Sequence, residues 1–557
     1  MTNQHLVFNN AYTWHTKEGV SFKGFFFDQH GKFYDSANAT TYFSAVQTME
    51  QLKDSCTQID GSWSVVINQH GKTLAACDPM GMFPLFYARS GASWLLSDSS
   101  GWLANRIEGL SLNHRAELEF LSAGFVLGRE TLFDQVYRVK PGELICLDHE
   151  EQMSEVQADT WFYFLPEYFS DHSKEKLSEE LVRTLQEMIS RLLSSTRGKT
   201  LVVPLSGGFD SRLIVCLLKM AGAEQVVCLT YGRPNPEAEL SRKVAKKLGY
   251  QWLFIDYNKI NTDGFLDDPV FMAYCNYAGN HASMPYLQEY FAVKHLKDNG
   301  LIPDNSIFLP GHSGDYLGGS YIGRTIRMTR SQKDIHGHIG RHYFPFIPHN
   351  KKQQHFLAER VNQWFNNYAP PVCAKDPDYC VYVEDWDVKE KLAKFIFNSA
   401  SVFPFFGYGV RFPLWDQRLR TFFRMVPFSY RLDKQLYDEI IIKTWFKPLG
   451  VYFGHEELSA TSEDPINRLL QRPIKQVGRF VRVWLPFSLI EKRLRKRDWI
   501  CYSGFTDEMT RYMQSKGADI PKRYNSYNAL ICAWYLEKTS ALCREAESSQ
   551  MSPENSL

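Results

Sequence analysis

The clearest chemistry in the chain lies in the string Val203-Pro-Leu-Ser-Gly-Gly-Phe-Asp-Ser-Arg212. Two adjacent glycines, Gly207 and Gly208, let backbone N–H groups converge on a phosphate. A helix starting at this point adds the positive end of its dipole, and Ser206 and Ser211 supply hydroxyl donors. A carboxylate has no reason to touch a phosphate directly. The chemistry of Asp210 is instead to hold Mg²⁺ that bridges phosphate oxygens. No Gly-x-x-x-x-Gly-Lys-Ser/Thr string is present, so lysine-assisted chemistry at a γ-phosphate is not implied.

Such a loop works only between a strand and a helix, and the flanking pattern supplies both. Lys199 to Leu205 has the apolar, β-branched character of a buried parallel strand, and Arg212 to Ala221 reads as a helix. Gln225–Leu229 (strand), Glu237–Leu248 (helix) and Trp252–Ile255 (strand) follow, an order that predicts a doubly wound parallel sheet with ligands at its carboxyl edge. An amphipathic helix over Ser173–Ser195 precedes this unit, and a helix-rich, aromatic stretch follows from about Phe346. The first 150 residues alternate short apolar runs with Gly, Asn and Asp turns, while Ala39–Gln51 and Arg115–Ser122 carry helical spacing. The expected domains are an α+β unit over 1–159, an α/β unit over 173–545, and a polar tail over 546–557 without order.

With 557 residues the chain exceeds one ordinary core. Lysine and arginine number 63 against 62 aspartate and glutamate, so no global field recruits nucleic acid or a membrane surface. No apolar run approaches the length of a membrane span. Eleven scattered cysteines and an N-terminus without a basic and apolar leader predict a cytoplasmic protein without disulfides or a structural metal.

The loop resembles the Ser-Gly-Gly-x-Asp-Ser signature of the pyrophosphatase-loop ATP enzymes, which cleave ATP between its α and β phosphates to adenylate a substrate. Further strings resemble asparagine synthetase. Leu309-Pro-Gly-His-Ser-Gly-Asp-Tyr-Leu-Gly-Gly-Ser-Tyr321 is similar to that family's Gly-Glu-Gly-x-Asp-Glu segment, and Gly409-Val-Arg-Phe-Pro-Leu-Trp-Asp416 to its Val-Arg-x-Pro-Phe-Leu-Asp. Upstream, Asp60-Gly-Ser-Trp, Asp78-Pro-Met-Gly-Met-Phe-Pro-Leu-Phe-Tyr87 and Ser97-Asp98 echo the glutaminase half. The resemblance implies a degenerate class II glutamine amidotransferase-like domain (an Ntn-hydrolase fold) before an ATP-pyrophosphatase domain. It also implies amide ligation of the asparagine-biosynthesis type. On this reading Leu205, Ser206, Gly207, Gly208, Asp210 and Ser211 cradle ATP, Thr230 and Gly311 border the adenosine, and Asp315 joins Asp210 at Mg²⁺.

Two departures shape the expected function. Glutamine-hydrolysing members begin Met-Cys-Gly, whereas this sequence reads Met-Thr-Asn and has its first cysteine at Cys56; Thr2 is the remaining candidate for an N-terminal nucleophile. The glutamine-holding Asn-Gly-Glu-x-Tyr-Asn segment is replaced by Gly24-Phe-Phe-Phe-Asp-Gln29. The resemblance therefore points to glutaminase-deficient members similar to β-lactam synthetase and the lasso-peptide cyclases. The second departure is His312, at the position of the family's active-site Glu, where an imidazole of pKa ~6.5 would serve as base toward an attacking amine. Lys434 and Lys475 are candidates for neutralising pyrophosphate. The expected partners are a small carboxylate, with a sugar acid as first guess, and ammonia or an amine, with no nucleic acid and no membrane. A peptide macrolactam cyclase and a nucleotide-binding pseudoenzyme remain alternatives, and the oligomeric state stays open, a homodimer included.

Overall fold

The structure, a computed structural model, describes residues 4–149, 156–166, 169–322, 332–368, 380–453, 487–496 and 498–551. Among the described residues, eleven strands precede residue 161: β1 (Gln4–His5), β2 (His15–Lys17), β3 (Val20–Asp28), β4 (Phe33–Asp35), β5 (Ile59–Gln69), β6 (Lys72–Cys77), β7 (Phe86–Ser90), β8 (Ser93–Ser97), β9 (Val136–Arg138), β10 (Glu143–Asp148) and β11 (Gln157–Thr160). One sheet runs β11-β10-β6-β5-β3-β2 with β4 beside β3, and a second runs β1-β8-β7-β9. Every pairing in the larger sheet is antiparallel, and short connections join β2 to β3, β3 to β4 and β5 to β6.

Two local expectations differ. The apolar run Leu6-Val7-Phe8, which reads as one of the short N-terminal strands, lies past the end of β1 at His5, because the N–H groups of Val7 and Phe8 bond the Asp98 carboxylate at 2.7 and 3.0 Å instead of a neighbouring strand. The helix expected over Ala39–Gln51 is two helices, Ser36–Phe43 and Met49–Thr57. Thr48 starts the second by accepting a hydrogen bond from the Gln51 N–H.

After β11 the chain enters the helix Lys174–Ser195, the amphipathic helix expected over Ser173–Ser195, whose apolar stripe of Leu177, Leu181, Leu185, Met188 and Leu192 is buried. A five-stranded parallel sheet follows: β12 (Leu201–Pro204), β13 (Val226–Gly232), β14 (Gln251–Asp256), β15 (Ile307–Phe308) and β16 (Gly409–Val410), in spatial order β14-β13-β12-β15-β16. From β12 the chain builds outward through β13 and β14, then returns to the other side of β12 as β15. The strand order therefore reverses at β12, and a crevice opens at its carboxyl end between the connections that leave in opposite directions. Asn235 caps the helix Pro236–Leu248, and Gly249 ends it with a positive φ of 72°.

The final helix, Asn528–Met551, runs into the segment expected as a tail from residue 546. Ala546 to Met551 contains no glycine or proline, and the first breaker is Pro553, so nothing in the sequence stops the helix earlier. Among the described residues no helix is long and apolar enough to cross a membrane.

Candidate functional site

The Gly-rich loop sits in the crevice at the end of β12. Leu205 anchors it from below: its N–H donates to the Leu229 carbonyl at 2.7 Å, and its carbonyl accepts from Thr230 Oγ1 at 2.9 Å and Ser241 Oγ at 3.0 Å. The buried Arg212 guanidinium donates to the Gly207 carbonyl at 2.7 Å, which keeps that oxygen from turning on an anion. Gly208 is the N-cap of the helix Phe209–Met220 and no side chain caps it, so the helix N-terminus is open to a ligand. The loop serines hold two of the loop's own amides. Ser206 Oγ accepts from Gly208 N–H, and Ser211 Oγ accepts from Ser206 N–H, both at 3.2 Å.

Asp210 meets Asp315 across this helix start. The Asp315 N–H donates to Asp210 Oδ2 at 2.7 Å, and the Tyr437 hydroxyl donates to Oδ1 at 3.1 Å. Burial first, then the charge of Asp315, pushes the Asp210 carboxyl up to about 7, while Lys434 pulls the other way. Burial works against the charge on Lys434, but Asp438, Asp210 and Asp315 outweigh it and hold its pKa above the ordinary value. Lys434 pairs with Asp438 at 3.3 Å. Two carboxylates that repel one another beside an open helix N-terminus suit a divalent cation shared with phosphate oxygens, and hard oxygen donors are what Mg²⁺ prefers. The residues therefore fit the metal the sequence implied.

Gly311 explains how the two loops come so close. A Cβ built there would lie 2.8 Å from Ser211 N and 3.2 Å from Ser211 Cα. We expect Gly311→Ala to push the 310–315 loop off the helix start. Because ångström-scale misplacement of reacting groups costs on the order of 100-fold, pyrophosphate exchange should drop by ~10- to 100-fold with global stability little changed. Parallel exchange and thermal-melt measurements check this, and an unaltered rate would show that the close approach has no role.

His312 lies in the same cleft, its ring stacked on Phe412 at 5.9 Å between centroids and edge-on to Phe397 at 6.2 Å. Its Nδ1 is buried without a hydrogen-bond partner. The sequence reading took the ordinary imidazole value; burial instead lowers the pKa to about 4. The ring is therefore neutral at physiological pH, and no inflection near ~6.5 in a pH–rate profile should belong to it.

Ser206, Gly208, Asp210, Ser211, Gly311, His312, Asp315 and Lys434 thus share one cleft of about 470 Å³. Leu205, Ser206 and Thr230 line an adjoining one of about 430 Å³, with Trp499 and Tyr502 on its far side. Gly207 lines neither and packs against Glu237. The Thr230 hydroxyl is occupied, donating to Leu205 O and accepting from Trp252 Nε1 at 3.0 Å. Lys475 and Thr2 lie outside the described residues. Sequence reasoning missed Tyr437 and Glu289. Tyr437 carried a usable signal, because Lys434, Tyr437 and Asp438 stand at i, i+3 and i+4. We expect Lys434→Met to weaken Mg²⁺–ATP binding by about tenfold or more, the size of a charge-assisted hydrogen bond, as read by calorimetry.

The upstream motif residues hold structure. Asp78, buried and pushed up to about 7 by that burial, accepts from the N–H groups of Trp63, Met80 and Gly81. Asp98 accepts from Val7, Phe8 and the Trp14 ring N–H. Asp60 and Asp416 meet through Arg191, which bridges them, while Arg420 donates to Asp60 Oδ1 at 2.8 Å and the Gln417 N–H to Oδ2 at 3.1 Å. This buried cluster ties the N-terminal sheet to the C-terminal helices. Burial drives the Cys56 thiol well above its ordinary pKa and Cys77 up to about 12, so neither offers a thiolate.

No family profile matches the chain, and no curated protein matches it. Among solved structures, glutamine phosphoribosylpyrophosphate amidotransferase from B. subtilis, complexed with ADP and GMP, is similar at 12% identity over 44% of this chain and 73% of its own, with a TM-score of 0.19. An allosteric regulatory enzyme of purine biosynthesis is similar at 9% identity over 54% of this chain and 57% of its own, TM-score 0.17. The NH3-dependent NAD synthetase of Campylobacter jejuni is similar at 16% identity over 36% of this chain and 99% of its own, TM-score 0.16. At these scores the likenesses carry no argument. The class that the fold and site define is read from the chain itself: a mixed α/β protein in which a Gly-rich loop at the carboxyl edge of a parallel sheet faces two carboxylates and a lysine.

Proposed function

We propose that this chain is an ATP-dependent amide-forming ligase that activates a carboxylate as its acyl-adenylate. One observation carries the reading: Asp210 and Asp315 converge at an uncapped helix N-terminus behind a Ser-Gly-Gly loop, with Lys434 lining the same cleft. In this reading the adenosine lies in the cleft bordered by Thr230, and the triphosphate crosses the loop. Asp210 and Asp315 would hold a Mg²⁺ ion, whose charge would offset that of the phosphates. A carboxylate oxygen of the acid attacks the α-phosphorus, and pyrophosphate leaves toward Lys434 and the helix N-terminus. A neutral amine then adds to the acyl carbon, loses a proton and expels AMP. The protein contributes fixed dipoles, charge and alignment of two reactants. His312, neutral and with an unpartnered Nδ1 in this cleft, is the group to which we assign acceptance of the amine's proton. An asparagine-type or sugar-acid amidation is the finer reading.

Phosphorus NMR of a reaction with Mg²⁺–ATP, ammonium and a panel of acids tests this. We expect AMP and pyrophosphate in equal amounts. Release of ADP and orthophosphate would overturn the adenylation reading.

A further inference from the structure

Glu289 lines the same cleft as Asp210, Gly311, His312 and Asp315 and is only 9% exposed. Its Oε1 accepts from the Tyr231 hydroxyl at 2.7 Å, while its Oε2 is buried with no hydrogen-bond partner. The carboxyl is held in a fixed frame. Gln288 Nε2 donates to Tyr231 Oη at 3.1 Å, the Tyr286 hydroxyl donates to Gln288 Oε1 at 3.0 Å, and the Tyr257 hydroxyl donates to the Gln288 carbonyl at 2.6 Å. Tyr231 and Tyr257 stack with centroids 6.1 Å apart. A carboxylate oxygen left without a donor in a buried site is costly unless a ligand supplies one. Nothing in the adenylation chemistry uses this group, since an acidic side chain repels both the phosphates and the acid being activated.

We propose that Glu289 is the recognition site for a protonated amino group on one of the two organic substrates, its Oε2 accepting a hydrogen bond from that ammonium while Tyr231 orients Oε1. The chain's substrate is then an amino-bearing compound and not a simple acid with free ammonia. The inference deepens the ligase reading and rests on the cleft being where acid and amine meet. Burial holds the empty carboxyl up at about 7, and an ammonium seated against it would favour the ionised form.

The test needs no turnover, so its failure is separable from failure of the ligase reading. The full chain, loaded with Mg²⁺ and α,β-methylene-ATP, is titrated calorimetrically with matched pairs: L-aspartate against succinate, L-glutamate against glutarate, and 1,4-diaminobutane against butylamine. We expect the compound carrying the extra ammonium to bind about ten- to hundredfold more tightly in one class of pair, and Glu289→Gln to erase that preference. Preference within the acid pairs assigns the ammonium to the activated acid, and preference within the amine pair assigns it to the nucleophile. Tyr231→Phe, which keeps the carboxyl and removes its donor, should reduce the same preference several-fold and stands in if Glu289→Gln does not fold. Equal binding within every pair, or a preference that survives both substitutions, would overturn the proposal.

Discussion

Asp210→Asn reduces Mg²⁺-dependent ATP binding and pyrophosphate exchange by at least ~100-fold, the scale seen when a group that stabilises developing charge is removed. Asparagine keeps an acceptor for either the Asp315 N–H or the Tyr437 hydroxyl, so the local scaffold survives while the carboxylate charge is lost. Metal-free ATP should bind the variant no worse than it binds the native chain, because the like charge facing the phosphates has been removed. Calorimetry with and without Mg²⁺ checks both halves. A pH signature accompanies the loss. The folded carboxyl titrates at about 7 and the unfolded one near ~3.9, so between these values the folded chain holds a proton that the unfolded chain has released. This group therefore makes stability fall as pH rises through that window, and Asp210→Asn should flatten the slope. A variant that still binds Mg²⁺–ATP at native strength would remove Asp210 from the metal role.

Asp60→Ala should cost about 3–5 kcal/mol, because it strands Arg191 and Arg420 in a buried site. Arg420 is only 8% exposed at its side chain and donates to Asp60 at 2.8 Å, and Arg191 loses one of the two carboxylates it bridges. Asp416 cannot compensate for both guanidiniums, since its own side chain already caps the helix Gln417–Met425 by accepting from Arg418 N–H at 2.9 Å. Adding Arg420→Met to Asp60→Ala should recover part of the loss by removing the stranded charge. Chemical denaturation of native, single and double variants reads this. A double variant less stable than the single one would contradict the assignment.

The loop and the strands β12, β13 and β14 were legible in the sequence because a buried parallel strand is a continuous apolar run and a phosphate-type turn requires Gly207 and Gly208 beside it, whereas β15 and β16, two residues each, are too short to leave such a run. The stripe from Leu177 to Leu192 was legible for the same reason, since helical periodicity records burial directly. The groups that complete the site were not. Tyr437 reaches Asp210 across 227 residues, so its spacing with Lys434 and Asp438 could mark it as a neighbour of the lysine but not of Asp210, and Glu289 reaches Tyr231 across 58 with no local pattern at all. The type of residue at position 312 suggested a base, but its pKa depends on Phe397 and Phe412, which only the folded chain brings to the ring. The Asp60 and Asp416 motifs were visible as strings. Their common purpose appeared only with Arg191 between them, a largely buried arginine on a helix read as an amphipathic stripe.

Adenylation of an acid by this cleft must allow labelled pyrophosphate to exchange into ATP in the presence of Mg²⁺. The panel is aspartate, uronic acids, nucleotide-linked uronic acids and a fractionated metabolite extract. Label should enter ATP only when an acid is present. Measurable ATP binding without exchange in any fraction, including fractions supplemented with amines, or exchange that proceeds without any acid, would contradict it.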